Sequence, residues 1–213
     1  GYFQDQAEID ASPVYGNKAT VTPGYVKYKD ITGPEGVPDG IINSLDRTIT
    51  GDATPRYEYS LDLGAEWNNF DFSLFLQGVG KRDIYYSGSG ARPFYIGRTI
   101  FESQLDYWTP ENPNAEFPIL LIDGTGANPN NLPSTQWVKN GAYLRVKNVV
   151  LGYTLPKKML NNYKLDNLRV YVSGQNLLTF SNAYAGYDPE QSVNGGSFYP
   201  LNRTLTFGLD IRF

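Results

Sequence analysis

The chain has 213 residues, 18 of them Lys or Arg and 22 Asp or Glu, for a net charge of −4, and it contains neither Cys nor His. Disulfides, thiol chemistry, imidazole bases and imidazole-held transition metals are thereby excluded. With no basic run the chain offers no electrostatic footprint for nucleic acid, and no run approaches the roughly 18 consecutive apolar residues of a membrane-spanning helix.

Residues 1–55 are polar and broken by Gly and Pro, and read as a loop region. Five segments with period-two alternation follow. The first runs from Arg56 to Trp67, with Tyr57, Tyr59, Leu61, Leu63, Ala65 and Trp67 on one face and Glu58, Ser60, Asp62, Gly64 and Glu66 on the other. The second runs from Phe70 to Val79, and the intervening Asn68-Asn69 tolerates the positive φ of a tight hairpin. The third runs from Tyr143 to Leu155 and changes phase near Asn148, which predicts a β-bulge. A helical turn is expected at Lys157-Lys158-Met159-Leu160, before a fourth strand from Leu168 to Phe180. In the fifth, Leu205, Phe207, Leu209, Ile211 and Phe213 alternate with Thr204, Thr206, Gly208, Asp210 and Arg212.

The connections alternate in length. Two residues join the first pair of strands, whereas residues 81–141 and 181–200 form connections far longer than ordinary loops. Short turns at one end and long loops at the other are the pattern of a transmembrane barrel. The fold class expected is all-β: about five C-terminal antiparallel strands of a large transmembrane β-barrel with long extracellular loops. Counting back from Phe213, residues 1–55, 81–141 and 181–200 all fall on the outer side. A bare charge facing lipid costs about 2–4 kcal/mol at the midplane, so Asp210 and Arg212 must face a polar lumen. Arg145, Lys147, Arg169 and Arg212 read as lumen-facing charges that pair with acids such as Asp62 or Asp210. Five strands cannot close alone without leaving raw edges, so the chain reads as a fragment of a larger barrel.

Several stretches carry a family resemblance: Gly1-Tyr2-Phe3-Gln4, Pro23-Gly24-Tyr25-Val26-Lys27-Tyr28-Lys29-Asp30, Asp46-Arg47-Thr48-Ile49-Thr50-Gly51 and Phe70-Asp71-Phe72-Ser73-Leu74-Phe75-Leu76-Gln77-Gly78. Others are Tyr107-Trp108-Thr109-Pro110-Glu111-Asn112-Pro113-Asn114, Tyr143-Leu144-Arg145-Val146-Lys147-Asn148, Arg169 to Phe180 and Gly186-Tyr187-Asp188-Pro189-Glu190. In this order they resemble the C-terminal part of SusC/RagA-type TonB-dependent outer-membrane transporters. The resemblance implies a plugged barrel of about 22 strands that imports glycans or peptides. The implied partners are a SusD-like surface lipoprotein, a TonB complex acting through the N-terminal part, and outer-membrane lipid. It also implies that the plug domain and the signal peptide are absent from this chain.

Three constellations are candidate sites. Between residues 30 and 46, a calcium-type loop would draw on Asp30, Thr32, Asp39, the carbonyl of Ile41, Asn43 and Asp46, with Gly40 at the turn. Pro34-Glu35-Gly36-Val37-Pro38 is inserted relative to the usual spacing, and the same residues would equally hold a polar loop through Asx-turns. In the long loop, Tyr85, Tyr86, Phe94, Tyr95, Tyr107 and Trp108 could meet a ligand or partner, or form the loop's own small core. On the last strand, Phe207, Leu209, Ile211 and Phe213 resemble a barrel-assembly signal.

No enzyme is expected. Neighbouring carboxylates such as Asp106 with Glu111, or Asp188 with Glu190, recur by chance in a chain with 22 acids. The alternative to an importer segment is a self-contained, soluble β-rich module that binds carbohydrate or protein, stabilised by calcium.

Overall fold

Alternating apolar residues, bounded by turn-forming residues, fold into antiparallel strands wherever the sequence repeats at period two. The computed structural model describes residues 1–213 other than 89, 123–127, 185, 192–198 and 200, and leaves out the side chain of Asn162. Among the described residues seven strands form: β1 (Glu58–Trp67), β2 (Phe70–Val79), β3 (Asp83–Tyr85), β4 (Val138–Asn140), β5 (Tyr143–Thr154), β6 (Asn167–Ser181) and β7 (Thr204–Arg212). The five long ones make a single antiparallel sheet in the order β1-β2-β5-β6-β7, and β3 pairs with β4 separately. All five expected strands are present. The first begins two residues later than expected, because Arg56 and Tyr57 bond irregularly to Lys81 and Gly80 instead of continuing the ladder.

The β1–β2 turn uses positive φ at both Asn68 and Asn69, 46° and 69°, the geometry of a two-residue hairpin turn. The phase change in β5 is a bulge. Against β2 the register slips between Phe75 and Leu76, and against β6 it slips between Val146 and Asn148. Lys147 is therefore the extra residue, and Val146 and Val149 both keep to the apolar face. The expected helical turn is α2 (Lys157–Leu160). A six-residue helix near the start, α1 (Gln6–Ala11), was not expected; Asp5 caps it by accepting from the Glu8 N–H, and Ile9 anchors it.

The long connections leave the same end of the sheet and pack together. Ile84, Tyr86, Ala91, Phe117, Trp137 and Tyr184 form one core. A second joins Tyr2 and Val26 to Trp108 and Ala115, and a third gathers Phe3, Ile9 and Val21. Residues 1–30 are thus sewn to residues 106–137. The Val26 N–H donates to Asn130 Oδ1 at 2.8 Å, the Tyr2 hydroxyl to the Glu116 carbonyl at 2.7 Å, and the Ile119 N–H to the Gly24 carbonyl at 3.0 Å. The buried core lies mostly in the loops, while all ten residues of β1 are exposed.

Candidate functional site

The sheet has two unlike faces. Register puts Leu63, Leu74, Val149 and Gly174 in one cross-strand row, with Ala65, Phe72, Leu151, Val172 and Phe207 in the next. Trp67, Phe70, Tyr153, Val170 and Leu209 follow, and the rings of Phe70 and Tyr153 meet at a tilt with centroids 4.7 Å apart. These rows make one apolar surface across five strands, and among the described residues nothing covers its outer strands. Phe207, for example, is 82% exposed. Leaving a Leu or Phe side chain in water forgoes about 1.5–3 kcal/mol of burial each, so a surface of this width belongs against an apolar medium. The strands are 9 to 15 residues long, against the roughly 9–11 that span a bilayer core.

The opposite face is polar and cross-linked. Arg169 on β6 reaches over Gly152 to Asp71 on β2, its Nε donating to Oδ1 at 2.8 Å. A Cβ at Gly152 would meet Arg169 Nη2 at 2.6 Å, so glycine is what lets the bridge cross β5. Tyr171 likewise lies against Gly208, and the Arg169 guanidinium sits 4.9 Å from the Tyr171 ring centroid. Arg145 on β5 is only 1% exposed and is held by two carboxylates from the β6–β7 loop, Asp188 at 2.6 Å and Glu190 at 2.5 Å. Lys147 also pairs with Glu190, at 2.8 Å. Burial pushes the Glu190 carboxyl up, but Lys147, the Tyr143 hydroxyl and Arg145 outweigh it and leave the group below its usual range. Arg145, Lys147 and Arg169 do face the polar side, with Asp71, Asp188 and Glu190 as ion-pair partners. Of the expected acids, Asp210 lies opposite Arg169 and acts on it through its charge, while among the described residues neither Asp62 nor Arg212 forms an ion pair. Sequence spacing could not reveal partners that lie 43 to 98 residues away.

The loop from residue 30 to residue 46 is closed by its own hydrogen bonds. Asp46 Oδ1 accepts from the Ile31 and Thr32 N–H groups at 2.8 and 3.2 Å, and Oδ2 from the Asn43 N–H at 2.8 Å. The Asn43 and Ile31 amides hold the Asp46 carboxyl below its ordinary range. Asp39 and Asn43 make Asx-turns to the N–H groups of Ile41 and Leu45, and Asp30 Oδ2 accepts from Gly40 at 2.6 Å. Asp30 Oδ1 is buried without a hydrogen-bond partner, beside the Asp46 carboxyl. Among the described residues no three acidic side chains gather to hold a metal. Oxygen donors of this kind suit a hard cation, but these side chains do not converge on one point as a ligand group.

Of the loop aromatics, Tyr86 and Trp108 are core residues, 0% and 5% exposed, so their rings are not available to a ligand. Burial pushes the Tyr86 hydroxyl up to about 12. Tyr107 leans on the same core as Tyr86. Tyr85 is exposed and accepts from Arg92 Nη2 at 2.6 Å, while Phe94 and Tyr95 are half-buried and Tyr95 lies beside the same guanidinium. The six therefore do not form one surface. Phe207, Leu209, Ile211 and Phe213 line the exposed apolar side of β7 and its end. Asp106 accepts from Asn112 and from the Glu116 N–H. Asp188 and Glu190 are engaged by Arg145 and Lys147.

No family model matches the chain. Over its whole length it is 32% identical to TonB-dependent receptor P26 of Formosa agariphila. Over 90% of its length it is 32% identical to TonB-dependent receptor P3 of the same organism. It spans 22% and 19% of those two proteins. Among solved structures, the RagAB peptide importer in its open-open state matches with a TM-score of 0.60 and 24% identity, covering 84% of this chain and 20% of that one. The RagAB peptide transporter matches at 0.61 and 21%, covering 86% and 20%. The structural likeness carries the fold, a sector of a transporter barrel, and the sequence likeness carries the kinship. These relatives are receptors and transporters, not enzymes. The chain belongs with the TonB-dependent receptors, about a fifth of whose length it spans, and it has the fold of part of the RagAB transporter.

Proposed function

We propose that the chain supplies five adjacent wall strands of an outer-membrane importer for glycans or peptides, driven by TonB and working with a SusD-like surface lipoprotein. The observation that carries this reading is the pair of opposed faces. Apolar rows run across five strands with no covering layer among the described residues, and the reverse side carries the Asp71–Arg169 and Arg145–Glu190 pairs. In such a wall the apolar face meets lipid, the polar face meets the lumen, and the packed loops stand on the outer side toward the lipoprotein. Phe207, Leu209, Ile211 and Phe213 would serve recognition during barrel assembly. A soluble binding module is disfavoured, because it would bury that sheet face under a second layer.

The test is fractionation of cells with an antibody raised against residues 102–118. The importer reading expects a band several times larger than 23.8 kDa in the outer membrane. A soluble band of about that mass would contradict it.

We also propose that the 30–46 loop takes one calcium ion, held by Asp30, Thr32, Asp39, Ile41, Asn43 and Asp46. Support comes from the unpartnered Asp30 Oδ1 in a loop otherwise rich in oxygen donors. Calorimetric titration of the chelator-treated full-length receptor should count one site fewer in Asp30→Asn than in wild type, and equal counts would refute the site.

A further inference from the structure

The β6–β7 loop does not stand free. Its Gly186-Tyr187-Asp188-Pro189-Glu190 stretch folds back over β5 and is fastened from two sides. On one side, Arg145 donates from Nη2 to Asp188, from Nη1 to Glu190 and from Nε to Thr179 Oγ1 at 2.8 Å, while the Tyr143 hydroxyl donates to Glu190 at 2.7 Å. On the other side, the Tyr184 and Tyr187 rings pack edge-on against Tyr86 at 4.6 and 5.1 Å. Arg82 Nη1 holds the carbonyl of the fully buried Pro189 at 2.9 Å. Within the loop, the Glu190 N–H donates to Asp188 Oδ1, which fixes the spacing of the two carboxylates.

The charges balance. Arg145 and Lys147 meet Asp188 and Glu190, two cations against two anions. A guanidinium suits this place because its planar fork reaches two carboxylates and a hydroxyl at once, which an ammonium on a flexible stem cannot do. The arrangement is also sheltered from solvent, so salt screens it far less than it screens a surface pair. Arg145 lies opposite Gln77 on β2 and Thr179 on β6, near the end of the sheet that carries the long loops. The 186–190 stretch is seated over that end of the polar face.

We infer that Arg145 is a positioning residue that seats the 186–190 stretch of the β6–β7 connection as a fixed wall at the mouth of the polar face. The inference rests on the importer reading only in calling that face a passage. The seating itself follows from the contacts.

The test uses the full-length receptor in isolated outer membranes, with Gln77→Cys as a reporter for a membrane-impermeant maleimide. Ser173→Cys, farther along the same face, serves as the control. With the loop seated, the reporter at position 77 reacts slowly. Asp188→Asn and Glu190→Gln, singly and together, remove loop carboxylates without touching a strand. The double variant should speed labelling at position 77 about tenfold and raise hydrogen exchange in the 182–191 peptide similarly, because an uncompensated buried cation favours local opening. Exchange in β5 and β6 should stay unchanged. Arg145→Lys should give an intermediate rate. Unchanged labelling and exchange in the double variant would overturn the inference. So would a rise in exchange spread equally over the strands, which would mark a general structural role. If the receptor is absent from the outer membrane, the importer reading falls, and exchange on the purified receptor still decides the role of Arg145.

Discussion

Gly152 shows how much a single missing side chain can organise. It sits on β5 between Asp71 and Arg169, and the ion pair between those residues passes directly above it. Gly152→Ala should therefore displace the pair and cost about 1 kcal/mol, the scale of a half-exposed ion pair. The check is the urea midpoint of the full-length receptor, measured also in an Asp71→Ala background. There the alanine should cost nothing further, and an undiminished cost would mean that the backbone needs glycine for another reason. At this scale the sequence is only half legible. That Arg145, Lys147 and Arg169 point to the polar face follows from parity, whereas their partners do not. Asp188 and Glu190 looked like chance neighbours, and only the fold-back of their loop brings them to Arg145. For any one loop ring a core role is the better reading of the sequence, and so it is for Tyr86, buried with Phe117, Trp137 and Tyr184, and for Trp108, buried with Tyr2 and Val26.

Elements were more legible than residues wherever one physical signal dominated. β2 runs from Phe70 to Val79 as its alternation dictates, the Asn68-Asn69 turn has the expected positive φ, and the phase change near Asn148 is a bulge at Lys147. α1 escaped because six residues give less than two turns of periodicity, and its only buried anchor is Ile9. β3 and β4, three residues each, are equally mute in sequence. They pair because the connection around them folds on its own aromatic core, in which Trp137 is 0% exposed and donates from Nε1 to the Asn130 carbonyl. That core joins positions more than thirty residues apart, and no local pattern announces such contacts. The 30–46 loop is a mixed case: its Asx-turns were foreseeable from Asp39 and Asn43, but the isolation of Asp30 Oδ1 was not.

For the molecule as a whole, the distribution of burial is inverted relative to a soluble β domain. Aromatics are buried in the loops, while Leu, Ile and Phe are exposed on the strands. In water such a face would be an aggregation hazard, and β1 and β7 would offer unpaired edges as well. In a barrel wall both difficulties vanish together, since neighbouring strands take the edges and lipid takes the face. The same geometry explains why the loops carry their own cores. In such a wall they would hold shape beyond the membrane without help from the strand side chains, whose apolar face would meet lipid while the other face carries the ion pairs.

The most direct test of the two-faced wall is a cysteine scan of positions 205–212 on β7 in the full-length receptor, each site carrying a fluorophore and reconstituted in bilayers of brominated lipid. The account predicts strong quenching at positions 205, 207, 209 and 211, and aqueous quencher access at 206, 208, 210 and 212. Quenching without alternation, or with the opposite parity, would contradict it.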